Sequence, residues 1–65
     1  MEINKKVKLK LVGLNGNAYS LMGAFQRQAE KEVWTDDEIK FVLGDAMSGD
    51  YYHLVGTLNK YCNAR

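Results

Sequence analysis

Few side chains in this 65-residue chain are able to do chemistry, and their spacing decides what each can offer. The one histidine, His53, follows Asp50 by three residues, which on a helix puts a carboxylate and an imidazole on one side of a turn, as an acid/base pair requires. No nucleophile is evident at a matching position, and His53 falls off the apolar stripe of its segment, so it reads as a surface histidine. Asp36, Asp37 and Glu38 look like carboxylates for a hard cation, but consecutive helical residues diverge by about 100° and do not converge on one ion. One histidine and one cysteine fall short of a four-ligand zinc site, and Cys62 has no partner for an internal disulfide. Cys62 has no basic neighbour nearer than Lys60 and reads as a small packing residue. No catalytic, metal or cofactor set emerges.

The segment Gly13-Leu14-Asn15-Gly16-Asn17 joins an alternating stretch to a helical one, and a helix N-terminus after such a turn can hold phosphate through its free N–H groups. Gly13, Asn15, Gly16 and Asn17 are the candidate phosphate-binding residues. The third glycine of the dinucleotide fingerprint is missing, and no Lys-Ser or Lys-Thr follows Gly16. A tight turn explains the same residues. Phe41 and Tyr52 fall between the apolar stripe positions of their helices, and exposed aromatics beside charge are what protein interfaces select. Together with Asp37, Asp45 and His53 they form the candidate partner-binding set.

These residues need a scaffold, and its elements are legible. Val7, Lys8, Leu9, Lys10 and Leu11 alternate apolar and charged, the period of a strand with one buried face, which predicts a strand over 6–12. Asn17 then caps a helix with Ala18, Leu21, Met22, Phe25 and Ala29 at helical spacing, over about 18–32. Thr35 and Glu38 make a capping box, Trp34 and Ile39 a hydrophobic staple, and Ser48-Gly49 a stop, for a helix over about 36–47. Asp50 caps a third helix, about 51–62, with Tyr51, Leu54, Val55, Leu58, Tyr61 and Cys62 on its stripe. The fold expected is mostly α with one N-terminal strand, β-α-α-α, in a single small domain covering 1–65.

A lone strand exposes unpaired N–H and C=O groups along both edges. A chain this short also builds a core worth only about 3–5 kcal/mol. Both points favour pairing Val7 to Leu11 across a homodimer, which enlarges the core. Charge is segregated as well. Lys5, Lys6, Lys8 and Lys10 stand against Glu2 alone in residues 1–10, while residues 30–50 set seven acids against Lys31 and Lys40. The formal total of +1 does not suit a uniformly basic nucleic-acid binder. No stretch approaches the ~18–20 apolar residues of a membrane span, and a single unpaired cysteine suits a reducing, cytoplasmic setting.

Lys10-Leu11-Val12-Gly13, Gly16-Asn17-Ala18, Ser48-Gly49-Asp50-Tyr51 and His53-Leu54 together resemble a family of very short proteins encoded by bacteriophages and bacterial mobile elements. Its members read as a strand, a Gly-Asn-Ala helix start and a Ser-Gly-Asp-Tyr helix start. The resemblance implies the same fold and a stoichiometric role, binding and inhibiting a host or defence protein, and transfers no catalytic residue. The reading that follows is a non-catalytic protein-binding module. The alternative is a small nucleic-acid or nucleotide-phosphate binder using the strand lysines and the Gly13–Gly16 turn.

Overall fold

The computed structural model describes residues 3–11 and 13–63. Val12, the last residue of the expected strand, lies outside them, as do residues 1, 2, 64 and 65. Three helices form the body: α1 (Ala18–Lys31), α2 (Asp36–Ala46) and α3 (Tyr51–Lys60). Each begins where its cap dictates. Asn17 Oδ1 accepts from the Tyr19 N–H at 2.9 Å, and Asp50 Oδ1 from the His53 N–H at 2.9 Å. At α2 both halves of the capping box are closed, Glu38 N–H donating to Thr35 Oγ1 at 3.2 Å and Thr35 N–H to Glu38 Oε1 at 2.9 Å. The stripes turn inward: Leu21, Phe25 and Ala29 from α1, Ile39, Val42 and Ala46 from α2, Leu54 and Leu58 from α3. Trp34 fills the centre, its indole edge-on to Phe25 (5.5 Å between centroids) and Tyr61 (6.5 Å).

The connection from α1 to α2 is a Schellman motif. Trp34 N–H donates to Ala29 C=O at 2.9 Å and Val33 N–H to Glu30 C=O at 3.1 Å, which returns the chain sharply and delivers Trp34 to the core. The residue that must be left-handed in this motif is usually glycine. Here it is Val33, with φ 66° and its side chain 83% exposed.

No strand forms among the described residues, which corrects the strand expected over 6–12. Val7 makes one isolated parallel bridge, to Cys62: its N–H donates to Tyr61 C=O at 2.8 Å, and its C=O accepts from Asn63 N–H at 2.8 Å. The next N–H, that of Lys8, goes to a side chain, Glu32 Oε2, at 2.7 Å. At Val7 and Lys8, backbone groups that a second chain was expected to pair are thus satisfied by the chain's own tail and by a carboxylate. The same pairing explains why α3 stops at Lys60 rather than near Cys62, since residues 61–63 must unwind to meet Val7. The alternation itself is real. Val7 is fully buried, Leu9 and Leu11 are half-buried against the core, and Lys8 and Lys10 are exposed. Leu14 N–H donates to Leu11 C=O at 3.1 Å, closing a turn in which Gly13 takes φ 91°, a value natural only to glycine.

The segregated charges meet within one chain. Lys5 Nζ lies 2.6 Å from Glu38 Oε1 and 5.4 Å from the centroid of the Trp34 ring. Its ammonium, with the Thr35 N–H, holds the Glu38 carboxyl below the usual value of 4.5. Gln28 donates to Glu32 Oε2 at 2.7 Å and, with the Lys8 N–H, depresses the Glu32 carboxyl likewise.

Candidate functional site

The α2–α3 corner carries the densest polar cluster. Asp50 spends its carboxylate on the backbone N–H of His53, so the imidazole is free to reach back over the end of α2. There His53 Nε2 lies 2.8 Å from Asp45 C=O, 3.4 Å from Asp45 Oδ1, 3.2 Å from Ser48 Oγ and 3.4 Å from Thr57 Oγ1. Serine, histidine and aspartate thus come together, although Asp45 rather than Asp50 is the acid beside the ring. The geometry does not activate the serine. A carbonyl can only accept, so Nε2 carries the proton, and Ser48 Oγ donates its own proton to the same carbonyl at 2.6 Å. Both side chains cap the last turn of α2. Gly49 makes room for this, since a Cβ there would lie 2.8 Å from His53 Cγ and 2.9 Å from its Cβ.

Beside the corner a shallow groove of about 290 Å³ opens between the first turns of α1 and the start of α3, lined by Ala18, Tyr19, Met22, Met47, Asp50, Tyr51 and Leu54, with Gly49 at its edge. Its floor is Leu54, buried, with Ala18 and Met22 half-buried. Its walls are exposed apolar side chains: Tyr19 at 80%, Met47 at 60% and Tyr51 at 46%. Tyr51 is held upright, its hydroxyl donating to Gly16 C=O, and Tyr52 packs edge-on beside it at 6.3 Å while remaining 84% exposed. Helical spacing also puts Ile39, Val42, Leu43, Ala46 and Met47 on the apolar stripe of the second helix, and two stripe positions are corrected here. Met47 follows the end of α2 and points outward, and Tyr51 stands at the rim rather than in the core.

The surroundings of the groove are poor in charge. Residues 11–26 contain no ionised side chain, and residues 41–59 contain only Asp45 and Asp50 besides His53. Exposed tyrosine and methionine on a surface depleted of lysine, arginine and glutamate is the composition of an interface centre. This was the signal in the sequence for Tyr19, Met22, Met47 and Tyr51, and stripe assignment alone passes over it.

The expected partner-binding residues divide. Tyr52 adjoins the groove, and Asp45 and His53 meet at the corner behind it. Asp37 and Phe41 lie one turn apart on the outer face of α2 and do not line it. The candidate phosphate turn is largely self-occupied: Asn15 Oδ1 accepts from Asn17 N–H at 3.0 Å, Asn17 Oδ1 from Tyr19 N–H, and Gly16 C=O from Tyr51. A second concavity of about 350 Å³, lined by Ile3, Asn4, Lys5, Lys6, Lys60 and Tyr61, lies at the far end of α3. This concavity lies at the opposite end of α3 from the turn, so Lys5, Lys6 and Lys60 do not join the turn in one site, while Lys8 and Lys10 are exposed on the arm that leads into the turn. Among the described residues no three His, Cys, Asp or Glu side chains gather as metal ligands, and no helix is long and apolar enough to cross a membrane. Cys62 is buried, and desolvation, with the Glu32 charge behind it, pushes its thiol up to about 11. The chain matches no protein-family model, no curated protein and no solved structure.

Proposed function

We propose that this chain is a small non-catalytic module that acts by stoichiometric binding to a protein, with the Tyr19–Met22–Met47–Tyr51 groove as its contact surface. The observation that carries the reading is the exposed apolar cluster around that groove in a charge-poor part of the surface. The resemblance to short phage and mobile-element proteins supplies the setting, inhibition or modulation of a bacterial host or defence protein in the cytoplasm. Self-association through residues 6–12 loses its support at Val7, whose backbone groups are already engaged.

The test is affinity capture from a bacterial lysate with two baits, the native chain and a Met47→Glu, Tyr19→Ser variant shown to be folded by circular dichroism. A protein retained by the first and lost by the second is expected. Identical captures, or none, would overturn the reading. The nucleic-acid alternative, the lysines of residues 6–12 with the Gly13–Gly16 turn, keeps Lys6, Lys8 and Lys10 as exposed cations. Anisotropy of a labelled oligonucleotide decides it: binding at low salt that collapses as salt rises favours it, and a flat titration removes it.

A further inference from the structure

We infer that the segment this groove takes from its protein partner is cationic and amphipathic, with apolar side chains entering the groove and a lysine or arginine pairing with Asp50 and Asp45. This rests on the protein-binding reading above and adds the charge of what binds. The groove floor, Leu54, Ala18 and Met22, offers no polar partner, so what enters it must be apolar. Met22 and Met47 are unbranched and polarisable and can reshape around side chains of different outline. The ionic group in the groove lining is an acid. Asp50 lines the groove, Asp45 lies behind the corner, no lysine or arginine occurs in residues 11–26 or 41–59, and the first cation beyond them on α1, Arg27, turns back as far as Gly23 but is not among the lining residues.

The helix ends do not reverse that sign. The C-terminal end of α2, worth about half a negative charge, points here with no basic residue in its last turn. The N-terminal ends of α1 and α3 bring about half a positive charge each, and Asp50 already sits on the second. Two carboxylates outweigh what is left. His53, the remaining titratable group, is held against Asp45 C=O. An anionic segment would meet the same two carboxylates. A cationic one complements them.

The test titrates isotope-labelled chain with three synthetic peptides of equal length: an amphipathic leucine/lysine helix, its leucine/glutamate counterpart, and a scrambled leucine/lysine sequence without an apolar face. The first is expected to shift the amide signals of Tyr19, Met47 and Tyr51, and the other two to leave them in place. Asp50→Asn with Asp45→Asn keeps a good cap residue at position 50 and should weaken the first peptide roughly two- to five-fold, the range of exposed ion pairs. If the leucine/glutamate peptide shifts the same signals equally, or the double variant binds unchanged, the cationic assignment falls while the groove stands. If no peptide moves the groove signals, both fall.

Discussion

Val33→Gly should make this protein more stable even though it removes an apolar side chain. A β-branched residue at φ 66° holds its Cβ against the following carbonyl, at about 1–2 kcal/mol for a left-handed L-residue. Glycine releases that strain but has more freedom to lose on folding, an offset of about 0.5–1 kcal/mol. The valine side chain is 83% exposed, so its removal forfeits only a few tenths of a kcal/mol of burial. The balance is a gain of about 0.5 kcal/mol, which for a domain of this size raises the thermal midpoint by roughly 2–4 °C. Far-UV circular dichroism melts of the native chain, Val33→Gly and Val33→Ala would measure it. Alanine keeps the Cβ that causes the clash, so its midpoint should move by less than half as much. A lower midpoint for Val33→Gly, or equal shifts for both variants, would refute the assignment of strain to this residue. A confirmed gain would also show that the chain gives up stability to keep an exposed valine at the α1–α2 corner.

Other expectations follow from the same packing. Gly44→Ala and Gly56→Ala should each stabilise by about 0.5–1 kcal/mol, because an added Cβ meets nothing within 4 Å at either exposed helical site, whereas Gly49→Ala should destabilise by displacing His53. Urea melts order the three, and a stabilised Gly49→Ala would discard the account of the corner. Thr35→Ala should cost about 1 kcal/mol through the opened capping box, and an unchanged midpoint would remove that box from the energetics. Glu32 and Glu38 are both depressed below 4.5, so the stability they add is present above that value and is lost as pH falls through their lower folded values. Glu32→Gln with Glu38→Gln should therefore flatten the decline in stability below about pH 4.5 relative to the native chain, and parallel acid titrations would count against both contacts. Cys62, with its thiol near 11 and its side chain buried, should resist a thiol-specific reagent at pH 8 in the folded protein and react promptly in denaturant. Rapid labelling of the folded protein would contradict that burial.

Helices were the most legible part of the fold because their signals are local. Asn17, Thr35 and Asp50 each bind an N–H two or three residues away, and each starts its helix where the sequence places it. The N-terminal arm was legible in its alternation but not in its partner. Val7 pairs with residues far along the chain, in a stretch that reads as the last turn of α3, and Lys8 pairs with a side chain. Neither choice has a periodicity to betray it. The stop of α1 was only half legible, since Val33 occupies a place where glycine would have announced the motif. Of the site, Tyr52, Asp45 and His53 were visible as polar or aromatic residues off the stripes. Met47 and Tyr51 were not, because helical spacing puts them on the apolar stripe, yet each stands at the edge of its stripe and at a helix end, Met47 just beyond the buried Ala46 and Tyr51 ahead of the buried Leu54, where no neighbouring helix covers it.

The bridge between Val7 and Cys62 also gives the molecule a direction. Ile3 and Tyr61 line the same concavity at the end of α3, while the groove opens beside the start of that helix. Any polypeptide joined ahead of residue 3 or behind residue 63 sets out from one end, and the groove faces the other. An affinity handle or a fluorescent domain can therefore be attached on either side, or on both, without standing between the groove and what it binds. Two copies joined in tandem would share that freedom only if the tether were long enough to reach around the body.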